Sequence, residues 1–368
     1  SRINEAGLNV NQYGNRNVII NGAMMLAQRQ TSSSNVGNKY VLDRFAVYKQ
    51  NTGSTYTCSR NSVTDLAGFN NSLKMDCTTA DTSLASNEQV YISYKAEGQD
   101  LQGFEKGFST AKGFTLSFYV KTNKTGLYTV GMFDRDNTRK VNGSYTVADT
   151  SWNRYTINFP ADTTGKFDDD NASSLEIFFN LVAGSDTNTG TLYTTWQASV
   201  DAGSATGQVN FADSTSNDWE ITGVQLEVGD TATDFEHRSF ADELVRCQRY
   251  FEKSFAQGTD PAVGVSGDGA NNDIGSIAYA SNNTRTPSVR YSVTKRAAPT
   301  VTQYHPGGYG THGTNNKPAV YIGGAWSSPS SVSVQSQESY FFLDVTITGA
   351  SAGTGYLTAL GWTADAEL

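Results

Sequence analysis

Aromatic rings beside amides and hydroxyls are the chemistry this chain most readily offers. Sugar binding needs flat faces for pyranose rings and polar groups for the hydroxyls. Two segments supply that mixture. Tyr193 and Trp196 lie in Thr191-Leu-Tyr-Thr-Thr-Trp-Gln197, with core packing as the plainer reading of the tryptophan. Tyr304, His305, Tyr309 and His312 lie in Tyr304-His-Pro-Gly-Gly-Tyr-Gly-Thr-His-Gly313, among four glycines and a proline. Glycine lets a backbone turn tightly and leaves neighbouring rings exposed. That loop is expected to be either a contact loop for a ligand or an ordinary surface loop.

Carboxylates come next. Asp134-Arg-Asp136 and Asp168-Asp-Asp170 offer hard oxygen ligands of the kind calcium takes. Neither has the spacing of an EF-hand loop. Asp is also a default turn residue, so solvated turns are the simpler reading and calcium the alternative. No catalytic constellation stands out. There are three histidines, His237, His305 and His312, and no Gly-x-Ser-x-Gly, His-Glu-x-x-His or P-loop pattern. Glycoside hydrolysis would need two carboxyl groups roughly 5–9.5 Å apart across a sugar, which a sequence with 36 acidic residues does not reveal. A non-catalytic protein is expected, with glycan cleavage as the alternative. The three cysteines, Cys58, Cys77 and Cys247, form no metal or disulfide pattern. Buried thiols are expected, and Cys58 with Cys77 could pair if their strands are adjacent.

The elements that must position these residues are strands. The 368-residue chain carries 35 glycines, 19 tyrosines and 18 phenylalanines, and only 17% of its residues are charged. That usage belongs to turn-rich β proteins. Net charge is −9 with scattered basic residues, which argues against nucleic-acid binding. No apolar run approaches the ~20 residues of a membrane span. Residues 1–16 read as an arm or linker from an upstream region. Across 17–238, period-2 alternation marks Phe114–Lys121, Leu127–Phe133, Trp152–Phe159, Leu175–Val182, Gly207–Phe211 and Trp219–Val228 as strands, with Trp152 and Trp219 as core residues. Short strands with intervening turns predict a two-sheet jelly roll. Residues 254–368 predict a smaller β domain, with strands at 273–280, 288–294, 319–322, 331–335 and 340–347.

Between the two β regions the period changes. Phe240, Leu244, Cys247 and Phe251 fall at i, i+4, i+7 and i+11, so 239–253 is expected to be a connecting helix. Ser239 and Asp242 make a capping-box-like start, and the acidic first turn and basic last turn complement the helix dipole.

Several segments together resemble bacteriophage tail-fibre and receptor-binding proteins that carry a jelly roll like a carbohydrate-binding module. They are Asn17-Val-Ile-Ile-Asn-Gly22 with Gln28-Arg29 and Tyr40-Val-Leu-Asp-Arg-Phe45, then Gly223-Val-Gln-Leu-Glu-Val-Gly229, then Cys247-Gln-Arg-Tyr250. Lys295-Arg-Ala-Ala-Pro-Thr-Val301 and the terminal Trp362-Thr-Ala-Asp-Ala-Glu-Leu368 complete the set, in matching order along nearly the whole chain. Related sugar-binding jelly rolls often carry an acidic residue after Asn-Gly that helps hold a structural calcium, whereas here Ala23-Met24 follows. The resemblance implies a homotrimeric virion component of the phage tail, assembled in the host cytoplasm. It would bind other virion tail proteins and a host surface glycan or other receptor, without nucleic acid or membrane insertion. The face bearing Phe240, Leu244, Cys247 and Phe251 would then serve the trimer, and related fibres can bind a metal through clustered histidines. A glycan-degrading tailspike, a decoration protein without receptor role, and a carbohydrate-binding module detached from its enzyme are the competing readings.

Overall fold

The computed structural model describes residues 15–265, 272–309 and 316–368. The chain is all-β with one α-helix among the described residues, and it divides into two compact units. The first holds residues 15–27 and 31–243 with Leu368, and the second holds 28–30 and 244–367.

The first unit is a sandwich of two antiparallel sheets, the jelly roll expected from the alternation. One sheet runs, in spatial order, Ser32–Ser33, Thr55–Ser62, Asn71–Thr79, Asp218–Val228, Phe114–Thr122 and Asn153–Phe159. The other runs Gln197–Ala198, Arg139–Val147, Gly126–Asp134, Ser173–Ala183, Gln89–Glu97, Phe45–Gln50 and Lys39–Leu42. Alternate residues of each strand point between the sheets. Phe114, Leu116, Phe118 and Val120 share one core with Leu175, Ile177, Phe179 and Leu181. The Phe118 and Phe179 rings meet edge to face at 5.1 Å. Full burial of each such side chain contributes about 1.5–3 kcal/mol.

Three sequence expectations for this unit need correcting. Residues 207–210 form no strand, and Phe211–Asp213 is a 3-10 turn capped by Asn210, whose side chain accepts from Ala212 N at 2.9 Å. Trp152 precedes its strand and is only half-buried, its indole N–H donating to Asp65 at 2.9 Å. Trp219, by contrast, is fully buried. Third, Asp134 does not sit in a solvated turn but in a buried ion-pair network, described below. Cys58 and Cys77 lie on adjacent strands, Cys58 opposite Met75 and Cys77 opposite Tyr56, and both remain free thiols in the core.

The helix is shorter than its periodicity predicts. It spans Phe240–Gln248, and Phe251–Lys253 is instead a strand pairing with Gly355–Asp365. Its start is as expected: Ser239 Oγ accepts from Asp242 N at 3.1 Å and donates to the Asp242 carboxylate at 2.7 Å.

The second unit is organised around Gly355–Asp365, a strand the sequence reading missed. Its first half pairs with Asn272–Ala280 and Ala319–Ile322, and its second half with Phe251–Lys253 and Thr300–Tyr304. Ser331–Ser336 and Tyr340–Thr346 form a hairpin close to the predicted bounds. The strand predicted at 288–294 shrinks to Val289–Arg290, because Tyr291 N donates to Ser339 O at 3.2 Å and Ser292 N to the Glu252 carboxylate at 3.0 Å. A separate core gathers Tyr291, Phe341, Leu343, Val345, Leu360 and Trp362.

Candidate functional site

The seven-stranded sheet has an outer face whose residues are set by strand register. Phe133 lies opposite Glu176 on one side and Lys140 on the other. Phe178 lies opposite Gly131 and Ser93, and Asn180 opposite Tyr91. On Ser173–Ala183, therefore, Leu175, Ile177, Phe179 and Leu181 go to the core while Glu176, Phe178 and Asn180 form the opposite face. This face is not bare. It holds a cleft of about 280 Å³ lined by those three residues with Gln89, Tyr91, Phe133, Arg135 and Lys140, and by Ser199, Asp201 and Ser204 of the segment that follows the strand.

Phe178 is the floor. A Cβ at Gly131 would come within 2.1 Å of its ring, so the ring lies against bare backbone. Tyr91 stands beside it with centroids 5.5 Å apart, and Tyr91 in turn stacks on Tyr48 at 4.5 Å and 22°. Tyr91 and Phe133 are half-buried, so part of each ring faces the cleft. Burial raises the Tyr91 phenol pKa well above its ordinary value, and the nearby Glu176 carboxylate adds to this.

The polar groups are held in place. Glu176 accepts from Arg135 Nη1 at 2.7 Å and from Ser93 Oγ at 2.6 Å. Asn180 Nδ2 donates to Thr129 Oγ1 at 3.0 Å. Lys140 Nζ lies 5.4 Å from the Phe178 ring centroid, donates to Ser204 Oγ at 3.2 Å, and is 4.0 Å from Asp201. Burial lowers the Lys140 pKa below the usual lysine range, opposed by Asp201 and Glu176. The cleft thus combines partly open rings with a carboxylate, amides, a guanidinium and an ammonium at fixed positions, the composition that binds hydroxyl-rich ligands.

None of these residues was singled out by sequence. The signal was present in Leu175-Glu-Ile-Phe-Phe-Asn-Leu-Val182: its non-core face reads Glu, Phe, Asn, an aromatic flanked by polar groups at i±2.

The sequence candidates fall elsewhere. Trp196 is a core residue, the plainer of its two readings, and not a ring open to a sugar. It packs edge-on against Phe114 at 5.9 Å, and its N–H donates to Pro160 O at 2.9 Å. Tyr193 is half-buried, and its backbone bridges Asn142 and Gly203 through hydrogen bonds of 2.7 and 3.2 Å. His305, expected on an exposed loop, is buried. The chain there is tied to its neighbour segment by Gly264 N to His305 O at 2.9 Å and Gly307 N to Val265 O at 2.7 Å. Tyr304 ends a strand and packs edge to face with Phe255 at 5.4 Å. Tyr309 is half-buried against Trp326 at 4.5 Å, its hydroxyl 3.3 Å from Asp273. His312 lies outside the described residues.

The acidic turns are used structurally. Asp134 is fully buried, 2.5 Å from Lys106 Nζ, and its other oxygen caps its own turn by accepting from Asp136 N and Asn137 N. Asp136 accepts from Asp168 N at 3.0 Å, and Asp170 accepts from Ala172 N at 2.9 Å. Among the described residues no three His, Cys, Asp or Glu side chains converge as a metal site. Of the helix candidates, Cys247 and Phe251 are buried, Leu244 is half-buried and Phe240 is exposed.

The second unit carries a separate groove of about 750 Å³ whose walls are Ile277, Tyr279, Tyr321 and Leu357, all exposed. Gly275 and Gly355 also line it. Among the described residues no helix is long and apolar enough to cross a membrane.

No protein-family model matches the sequence, and no curated protein matches it. Solved structures with some likeness include a putative sugar binding protein from Bacteroides thetaiotaomicron, at 12% identity and TM-score 0.33 over 58% of this chain and 99% of that one. A family 11 carbohydrate-binding module from Clostridium thermocellum, in complex with a β-1,3-1,4-mixed-linked tetrasaccharide, gives 12% identity and TM-score 0.28 over 56% and 98%. An arabinose-bound GH51 α-L-arabinofuranosidase gives 12% and 0.29 over 55% of this chain, which spans only 26% of that enzyme. At such scores none of them bears on what this chain does.

Proposed function

We propose that the chain is a non-catalytic glycan-binding protein of a phage tail fibre, and that it binds sugar in the cleft over Phe178. The observation that carries the binding reading is the seating of Phe178 on Gly131 between Tyr91, Asn180 and Glu176. A cleft of about 280 Å³ is at the small end of the roughly 300–1,000 Å³ range of ligand pockets, which suits one sugar residue of a longer chain. Each oxygen of Glu176 accepts a hydrogen bond, from Ser93 and from Arg135, which supports a carboxylate held in place for binding. The binding reading invokes no cofactor.

The tail-fibre context rests on the sequence motifs. A homotrimer, with other tail proteins as partners in the virion, is part of the same reading. Large exposed apolar patches mark interaction surfaces. Among the described residues, Ile277, Tyr279, Tyr321 and Leu357 form such a patch, and we assign it to contact between copies. Three weak sugar sites on one particle would raise overall binding through avidity alone.

Calorimetric titration against a glycan panel tests the site. Tyr91→Ala and Phe133→Ala should each weaken binding at least about tenfold, while Tyr309→Ala should not. Equal binding by all variants discards the cleft. Light scattering tests the assembly: a Tyr321→Asp, Leu357→Asp pair should convert trimer to monomer, and a monomeric parent protein would refute the fibre reading.

A further inference from the structure

The charges in the cleft do not cancel evenly. Arg135 and Glu176 satisfy each other at 2.7 Å, and Ser93 takes the second Glu176 oxygen. Lys140 has no such partner. Its ammonium, whose side chain is only 12% exposed, makes one hydrogen bond of 3.2 Å, to a serine hydroxyl. The nearest carboxylate oxygen, on Asp201, is 4.0 Å away on a side chain 77% exposed to screening solvent. An ammonium carries three donors, and a poorly paired buried charge is costly. A ligand anion at this point would recover that cost. The ammonium also lies 5.4 Å from the Phe178 ring, beside the aromatic floor rather than at the cleft's outer rim.

We infer that the glycan is acidic: a sugar bearing one negative substituent, a carboxylate or a sulfate ester, that seats on Lys140 Nζ while its ring lies along Tyr91 and Phe133. This rests on the glycan-binding reading of the same cleft and narrows its ligand class. Ser199 also lines the cleft, while the Ser204 hydroxyl is already engaged by Lys140 and by Val200 O. Asp201 is then a specificity residue, because its carboxylate competes with the ligand for the ammonium.

The test uses matched probes: an oligogalacturonate, the same oligosaccharide after carboxyl reduction, and a sulfated neutral oligosaccharide, titrated into the full chain. The expected result is at least about tenfold preference for an acidic probe over the reduced one, since charge-assisted hydrogen bonds are roughly twice as strong as neutral ones. That preference should fall as salt rises. Lys140→Gln should abolish it and Lys140→Arg should keep much of it. Asp201→Asn, at an exposed position where folding is not at issue, should strengthen acidic binding. Whether the uronate or the sulfate binds better identifies the anion, and either upholds the inference. Equal binding of acidic and reduced probes overturns it and leaves glycan binding standing. So does a preference that survives in Lys140→Gln. Binding of no probe, charged or reduced, overturns both.

Discussion

The Phe178 ring and Gly131 are in contact across two neighbouring strands, with a methyl group on the glycine falling 2.1 Å from Phe178 Cε2. Gly131 has no positive φ, so its backbone would accept alanine, and what opposes it is the Phe178 ring first and Asn142 Oδ1, at 2.8 Å, second. Gly131→Ala should therefore tilt Phe178 into the cleft, cost about 1–3 kcal/mol as overpacking, and reduce glycan affinity with the sandwich intact. In the Gly131→Ala, Phe178→Ala double variant the clash with the ring is gone and only the approach to Asn142 Oδ1 remains. Its stability should exceed the sum of the single losses, read from urea midpoints as a coupling of about 0.5–3 kcal/mol. Strict additivity would show that the ring does not rest on Gly131.

Much of the fold was legible because its signals are local. The strands expected at 114–121 and 175–182 return as Phe114–Thr122 and Ser173–Ala183, with the alternate apolar residues of each in the core. The Ser239 cap does too. In the first resemblance motif both asparagines are structural: Asn17 accepts from Ile19 N and Leu226 N, and Asn21 ties its own turn to Leu26 and Asp43. What was not legible depends on partners far along the chain. Phe251 continues the helical period, yet its backbone is claimed by Gly355–Asp365. The cleft draws on four strands and a later segment, so no one stretch of sequence displays it. His305 looked exposed because glycines surround it, while the hydrogen bonds to Gly264 and Val265 that bury it cannot be read from composition.

Lys106 is buried with Asp134 at 2.5 Å and Asp162 at 3.1 Å, and it also donates to two carbonyls, Thr164 O and Gly165 O. Removing one member of a buried ion network leaves the others desolvated without compensation, at about 3–5 kcal/mol. Lys106→Met should lose that much in urea unfolding. Lys112→Met removes an exposed pair with Glu105 and should change stability by less than about 1 kcal/mol. Similar losses in both would mean the network is not the anchor its burial suggests.

Asp162 gives this network a pH signature. Burial raises its pKa, but hydrogen bonds from Arg139, Thr164 N–H and Lys106 outweigh burial and hold it below the ordinary carboxylate value. Its folded value is depressed, so the unfolded chain binds the proton more readily. The stabilisation is then intact above the unfolded Asp value of about 3.9 and is lost as pH falls through the folded value. Urea midpoints should drop with acid below about pH 4, and Asp162→Asn, less stable at neutral pH, should show a shallower drop. An equally steep drop in the variant would place the acid sensitivity elsewhere.

Gly223 opens the motif that closes the sandwich, and its requirement can be isolated. Its φ is +63°, and a Cβ would meet Phe69 and Tyr119 ring carbons at 2.8 Å. It sits where Asp218–Val228 slips register against Phe114–Thr122, between Thr222 and Gln225, so it is a bulge glycine. The bulge matters because the next residue, Val224, donates its N–H to Gly22 O at 2.9 Å, joining the motif to Asn17–Gly22. Gly223→Ala carries both left-handed strain and overpacking, so it should lose more than Gly131→Ala, about 2–4 kcal/mol. Phe69→Ala together with Tyr119→Ala in the same chain relieves both ring contacts but not the dihedral. That triple variant should therefore recover less than its Gly131→Ala, Phe178→Ala counterpart. Equal recovery in the two would show that the positive φ contributes nothing and that crowding alone keeps glycine at 223.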